Sequence, residues 1–236
     1  PQKKVLLPDP EAGCSLAASC EAKAFAEFLK QYPGYTVVSY VNTSVGVKAL
    51  TDICCTSSNA VQIVRSLPED AKIVFAPDRN LGIQSVTGRK MVVWDGACHV
   101  HEEFSLEKIL ELKREYPQAK VLAHPECKKP VLMVADYVGS TAALLKYATE
   151  SDCDTFIVVT EPGILHQMIK DNPTKRFIPA PPIDSTCGCN DCTYMKMVTL
   201  EKMISALQNE QPEVEIEESI RAKAERSIRN MLAIKL

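Results

Sequence analysis

Ten of the 236 residues are cysteine, and three of those fall within six positions, in Cys187-Gly188-Cys189-Asn190-Asp191-Cys192. Packing seldom calls for that density. A structural zinc site would need a fourth ligand, and a second CxxC is absent, whereas an iron–sulfur cluster accepts thiolates from distant parts of a chain. A second thiol sits in Asp95-Gly96-Ala97-Cys98-His99-Val100-His101, where one Cys and two His within four residues make local zinc binding a rival reading. A third is Cys14, just after Gly13 and between a strand-like and a helix-like stretch. A thiol there meets a helix N-terminus, whose dipole and free N–H groups favour the thiolate; a buried structural cysteine is the alternative. Three thiolates on one cluster would leave one iron with an open position, a Lewis acid for a substrate hydroxyl or carboxylate. The extra cysteines, Cys187 and Cys189, are either spare or redox-active through a Cys189–Cys192 pair.

The remaining composition narrows the class. At 46% hydrophobic residues the chain has apolar material for ordinary cores, and a formal charge of −3 with mixed signs argues against a nucleic-acid surface. No apolar run is long enough for a bilayer and no secretory signal opens the chain, so no membrane partner is expected. A disulfide framework is therefore disfavoured, and reduced cysteines in a cytoplasmic protein point to metal or redox chemistry. Pro1 is no initiator and leads straight into an apolar stretch, which predicts a fragment of a longer protein.

These residues need a scaffold, and the pattern alternates strand and helix. Residues 35–40, 73–75 and 91–94 read as strands, 57–67 and 81–86 as helices, and 106–115 as an amphipathic helix capped by Ser105. The pattern then recurs at a shift of 84: Val38–Asn42 matches Leu122–Glu126, Thr56–Ala60 matches Ser140–Leu144, and Cys14 matches Cys98. Phe75–Asp78 matches Val158–Glu161 at nearly the same shift. The next equivalent falls near 182, where a short insertion delivers Cys187, Cys189 and Cys192. Such alternation implies parallel sheets with helices on both faces, and ligands at the carboxyl ends of the strands. The expectation is an α/β fold of three similar three-layer αβα units about a pseudo-threefold axis, the first incomplete. Residues 15–100 and 101–184 would be the second and third units. Residues 1–14 would be a remnant of the first, completed by 185–236, whose helices pack on it.

Several motifs, in order along the chain, resemble those of the quinolinate synthases. Asp9-Pro10-Glu11-Ala12-Gly13-Cys14-Ser15-Leu16-Ala17 is similar to the family's first cysteine motif, Ser39-Tyr40-Val41-Asn42-Thr43 to its Tyr-x-Asn motif, and Cys55-Thr56-Ser57-Ser58-Asn59-Ala60 to its helix-opening serine. Trp94-Asp95-Gly96-Ala97-Cys98 resembles the second cysteine region, and His124-Pro125-Glu126-Cys127 and Gly139-Ser140-Thr141 follow the same family pattern. Cys192-Thr193-Tyr194-Met195-Lys196-Met197 with Thr199-Leu200-Glu201 resembles the third, with threonine after Cys192 where many relatives carry proline.

The resemblance implies one [4Fe–4S] cluster held by Cys14, Cys98 and Cys192. It also implies condensation of iminoaspartate with dihydroxyacetone phosphate to quinolinate, with loss of phosphate and water. It places Tyr40 as proton donor or acceptor, Glu126 as general base with His124 beside it, Asn42 as holding carboxylate or carbonyl oxygens, and Ser57 and Thr141, at helix N-termini, as binders of phosphate or carboxylate oxygens. A link to an L-aspartate oxidase or dehydrogenase supplying the imine follows from the same family. The family's N-terminal His/Tyr region is absent, which implies weakened cluster binding and turnover in the chain as it stands. Two rivals remain open: a cluster-dependent hydro-lyase for another hydroxy acid, and a non-catalytic zinc or redox module around residues 187–192. His166, Cys54 and Cys55 read as structural, and Cys20, Cys127 and Cys153 as carrying no ligand role.

Overall fold

The computed structural model describes residues 3–80, 86–184 and 190–234. The β-branched runs form two four-stranded, wholly parallel sheets. In the first, β1 (Thr36–Tyr40), β2 (Ile53–Cys55), β3 (Ile73–Ala76) and β4 (Met91–Val93) lie in the order β2-β1-β3-β4. In the second, β5 (Lys120–Ala123), β6 (Tyr137–Val138), β7 (Thr155–Val159) and β8 (Arg176–Pro179) lie in the order β6-β5-β7-β8. Register repeats with the sequence: Val38 faces Ile53 and Leu122 faces Tyr137, both shifted by 84. Thr36 faces Ile73 but Lys120 faces Phe156, so the second copy is one residue shorter between those strands. A carboxylate is repeated too. Asp52 accepts from the Val37 N–H at 2.8 Å, and Asp136 accepts from the Val121 N–H at 2.7 Å.

The helices follow the same period. Helices α1 (Ser15–Ala18), α2 (Ala22–Leu29), α3 (Val45–Ala49) and α4 (Ala60–Ser66) accompany the first sheet. Helices α5 (His99–Glu102), α6 (Leu106–Glu115), α7 (Lys129–Met133), α8 (Thr141–Glu150) and α9 (Ile164–Asp171) accompany the second. Side chains alternate across each strand, so Val37 and Val74 meet Phe25 of α2 while Val38 and Phe75 meet Ile63 of α4. In the second unit Val121 meets Ile109 of α6 and Leu122 meets Leu144 of α8. Phe25 and Ile109 are themselves 84 apart, and both are fully buried.

Three helices follow: α10 (Thr193–Lys196), α11 (Leu200–Asn209) and α12 (Glu218–Ala233). Residues 5–7 pair with 212–214 through the Leu7 N–H to Pro212 and Val214 N–H to Val5 bonds, and Lys202 of α11 binds Asp9. Helix α12 lies on the first sheet instead. Met231 joins its core, and the Ser227 hydroxyl donates to the Lys48 carbonyl at 3.1 Å.

Two local expectations change. Helix α4 opens at Ala60 with Asn59 before it, not at residue 57, because the Asn59 carboxamide binds the Thr56 N–H and holds 56–59 in a turn. Most of the expected 81–86 helix, and Cys187 and Cys189, lie outside the described residues.

Candidate active site

The three single cysteines occupy one local structure. Cys14, Cys98 and Cys192 each precede a four-residue helix in extended conformation, as its N-cap residue. In each case a second helix begins eight positions after the cysteine, at Ala22, Leu106 and Leu200. A side chain caps each of those: Glu21 accepts from the Lys23 and Ala24 N–H groups, Ser105 from Lys108, and Thr199 from Lys202. The third copy of the cysteine module thus starts at Cys192, and the insertion lies ahead of it.

The modules touch one another around His99. Its backbone N–H donates to Ser15 Oγ at 3.1 Å, and its Nδ1 lies 2.7 Å from the same hydroxyl. Its ring stands edge-on to Tyr194, with centroids 6.0 Å apart, and Tyr194 lies against Gly13. Asn190, buried beside the third module, donates to the Val100 carbonyl at 2.7 Å. Residues flanking all three cysteines are therefore in mutual contact. Each thiol is half-buried and free, the Asn42 amide donates to Cys14 Sγ at 3.5 Å, and Cys98 and Cys192 border the same core. Burial pushes the Cys98 thiol up to about 12, against the opposing N–H groups of His101 and Val100. A cationic centre is the charge that offsets such a penalty. Among the described residues these thiols do not close on one another tightly enough for a single ion. The donor set, three thiols on three helix starts, fits a wider cluster of several metal atoms.

Beside this edge the strand ends deliver the polar residues. Tyr40 ends β1, and Asn42 follows it; 84 positions on, His124 follows β5 and Glu126 comes next. Tyr40 is buried with no aligned hydrogen bond on its hydroxyl; burial, then the Glu126 charge, push its pKa well above the ordinary phenol value and make it a weaker acid, with the Ser57 hydroxyl acting the other way. His124 Nδ1 accepts the Glu126 N–H at 3.4 Å, which leaves the ring proton to Nε2. Burial holds this imidazole down to about 4 against the Glu126 charge. Burial alone would raise Glu126, but the contact with His101 and then His124 outweigh it and hold the carboxyl below its ordinary value. Asn42 and Thr141 are exposed, and Ser140, not Thr141, caps α8 through the Ala143 N–H.

Sequence reasoning gave no catalytic or substrate-binding role to three residues here, and named His101 only in a local zinc reading with Cys98 and His99. His101 stacks on His124 at 4.7 Å, with its Nδ1 3.1 Å from Glu126 Oε2 and its Nε2 3.1 Å from Thr160 Oγ1. Asp78, 1% exposed, follows β3 and the cis Ala76–Pro77 bond. One of its oxygens accepts the Asn80 N–H and the other is unpartnered; burial raises its carboxyl to about 8. The position of Asp78 in the repeat, opposite Glu161, was a usable signal. Nothing local marked His101 or Thr160 as neighbours across 59 residues. His166 lies exposed on α9, and Cys54, Cys55, Cys20 and Cys127 are buried in cores.

A family model described as Quinolinate synthetase A protein matches residues 1–233. The chain belongs to the quinolinate synthase family. It is 58% identical to the quinolinate synthase of Thermosynechococcus vestitus over 98% of the chain and 73% of that relative. It is 56% identical to that of Rippkaea orientalis, over 98% and 72%, and 55% identical to that of a Synechocystis strain, over 99% and 74%. No described helix is long and apolar enough to cross a membrane.

Proposed function

We propose that the chain makes quinolinate from iminoaspartate and dihydroxyacetone phosphate, with a [4Fe–4S] cluster on Cys14, Cys98 and Cys192. The observation that carries this reading is the threefold use of one device, a cysteine at a four-residue helix start, with the three devices meeting at His99. When bound, the cluster supplies an iron with an open coordination position, a Lewis acid for a substrate hydroxyl or carboxylate.

The chain's own residues do the rest. Glu126, held ionised by its imidazole neighbours, takes protons from carbon or nitrogen in the enamine and dehydration steps. His124, neutral with its proton on Nε2, donates a hydrogen bond to a substrate oxygen. Tyr40, kept as the phenol by burial, returns a proton to a leaving oxygen. Asn42, Ser57 and Thr141 bind carboxylate or phosphate oxygens around the strand ends.

In this reading 15–100 and 101–184 are two αβα units, and 1–14 with 185–236 belong to a third, from which α12 reaches across to the sheet of the 15–100 unit. There Met203 occupies the place of Phe25 and Ile109 but stays 38% exposed. An imine hydrolyses in water, so an L-aspartate oxidase or dehydrogenase in the same cytoplasm is the fitting supplier.

The test is anaerobic iron and acid-labile sulfide analysis beside Cys14→Ala, Cys98→Ala and Cys192→Ala. Equal iron and sulfide, lost in each variant, is expected. Failure of the metal-stripped parent protein to take up iron and sulfide on anaerobic reconstitution without zinc, or a cluster retained after loss of Cys14 or Cys98, would refute the assignment.

A further inference from the structure

Cys98 has a second set of neighbours. Among the described residues, Cys98 Sγ, one nitrogen of His101 and one oxygen of Glu126 all lie within 4.8 Å of one another. The His101 and Glu126 side chains are 8% and 9% exposed. Cys98 and His101 lie three positions apart at the start of α5, which puts both on one face, and Glu126 comes from the end of β5.

The contact between His101 and Glu126 depends on the tautomer of the imidazole. Nδ1 stands 3.1 Å from Oε2, yet it is fully buried and makes no aligned hydrogen bond. In the tautomer whose Nε2 donates to the Thr160 hydroxyl, an Nδ1 lone pair faces a carboxylate oxygen, which is repulsive, whereas the other tautomer turns Nδ1–H towards Glu126. A divalent cation between the two converts that repulsion into two bonds. Thr160 then has the role that partners of ligating imidazoles commonly have, fixing ring orientation and tautomer through the nitrogen that does not bind. Thiolate, imidazole and carboxylate with a fourth position open is a donor set that zinc accepts.

We propose that the cluster-free chain binds one zinc ion through Cys98, His101 and Glu126, and that this ion and the cluster exclude each other because both need Cys98. Binding expels the Cys98 proton to solvent. It also occupies Glu126, so a zinc-loaded chain is blocked both for cluster assembly and for proton transfer. Zinc binding itself is independent of the cluster reading; only the exclusion rests on it.

The experiment uses the full chain stripped of iron under anaerobic conditions, titrated with Zn²⁺ alone against a chromophoric chelator. One equivalent is expected to bind, with stoichiometric binding lost in Cys98→Ser and His101→Ala and retained in Cys14→Ala and Cys192→Ala. Thr160→Val, which removes no ligand, should weaken zinc by about 10–100-fold, the usual cost of losing such a partner. Far-ultraviolet circular dichroism verifies the fold of each variant, and Thr160→Val decides the matter if a ligand variant unfolds. Retention of full affinity in Cys98→Ser, His101→Ala or Thr160→Val would overturn the site. So would loss in Cys192→Ala, which would place the metal on the 187–192 segment. Cluster assembly on zinc-preloaded protein should yield reduced iron and sulfide. Full assembly with zinc still bound would overturn the exclusion while leaving the zinc site standing.

Discussion

At the scale of single residues, the site concentrates groups whose ordinary charge state is costly where they sit. Asp78 is the clearest. Its carboxyl is buried with one oxygen unpartnered and titrates near 8, above the ordinary value of 3.8. Between those values the folded chain holds a proton that the unfolded chain has released, so stability falls as pH rises from about 4 to about 8 and is flat outside that window. Asp78→Asn removes the titration. Urea unfolding should show a shallower loss of stability across that range, by up to about 1.4 kcal/mol per pH unit, with the variant at least as stable as the parent near pH 8. Identical slopes for the two proteins would mean that Asp78 does not carry the proton.

At the scale of elements, the cysteine helices are too short to stand alone and depend on what holds their approaches. Gly96, two residues before Cys98, is the tightest such point. A Cβ there would overlap Ser19 Oγ and the Pro77 carbonyl, the second of which is backbone and cannot swing away. The same corner is fixed by the Trp94 indole, which donates to the Ser19 carbonyl at 2.9 Å and stands edge-on to Phe25 and Phe28. Gly96→Ala should cost about 1–3 kcal/mol, the range for overpacking, and should lower iron content, since Cys98 shifts with the corner. Chemical denaturation with parallel iron analysis checks both, and an unchanged unfolding midpoint would contradict the crowding argument.

At the scale of the molecule, the cluster site is a junction of three chain segments, and His99 is the residue that touches the other two. His99→Ala keeps every thiol yet loosens the junction. Iron loss to a chelator should then quicken by about tenfold, within the range for residues that support ligands without binding metal, while the unfolding midpoint moves less than in Gly96→Ala. Iron release at the parental rate would show that the thiols hold their geometry without this link.

Much of this was legible in the chain itself. Period-two and period-3.6 patterns are local, so helix 106–115 is recovered to the residue. The strands come within a residue or two, and the 84-residue shift reappears in strand register and in the Asp52 and Asp136 carboxylates. The α/β class, the cysteine motifs and the family follow from the same local information. The start of α4 was misread because Ser57 and Asn59 are both good caps, and only the Asn59–Thr56 bond selects between them. What tertiary structure alone decided is which distant residues meet: His101 with Thr160 and Glu126, His99 with Ser15 and Tyr194, and α12 with the first sheet. Strand order and helix packing set those meetings, and both are properties of the assembled core, which no window of sequence contains.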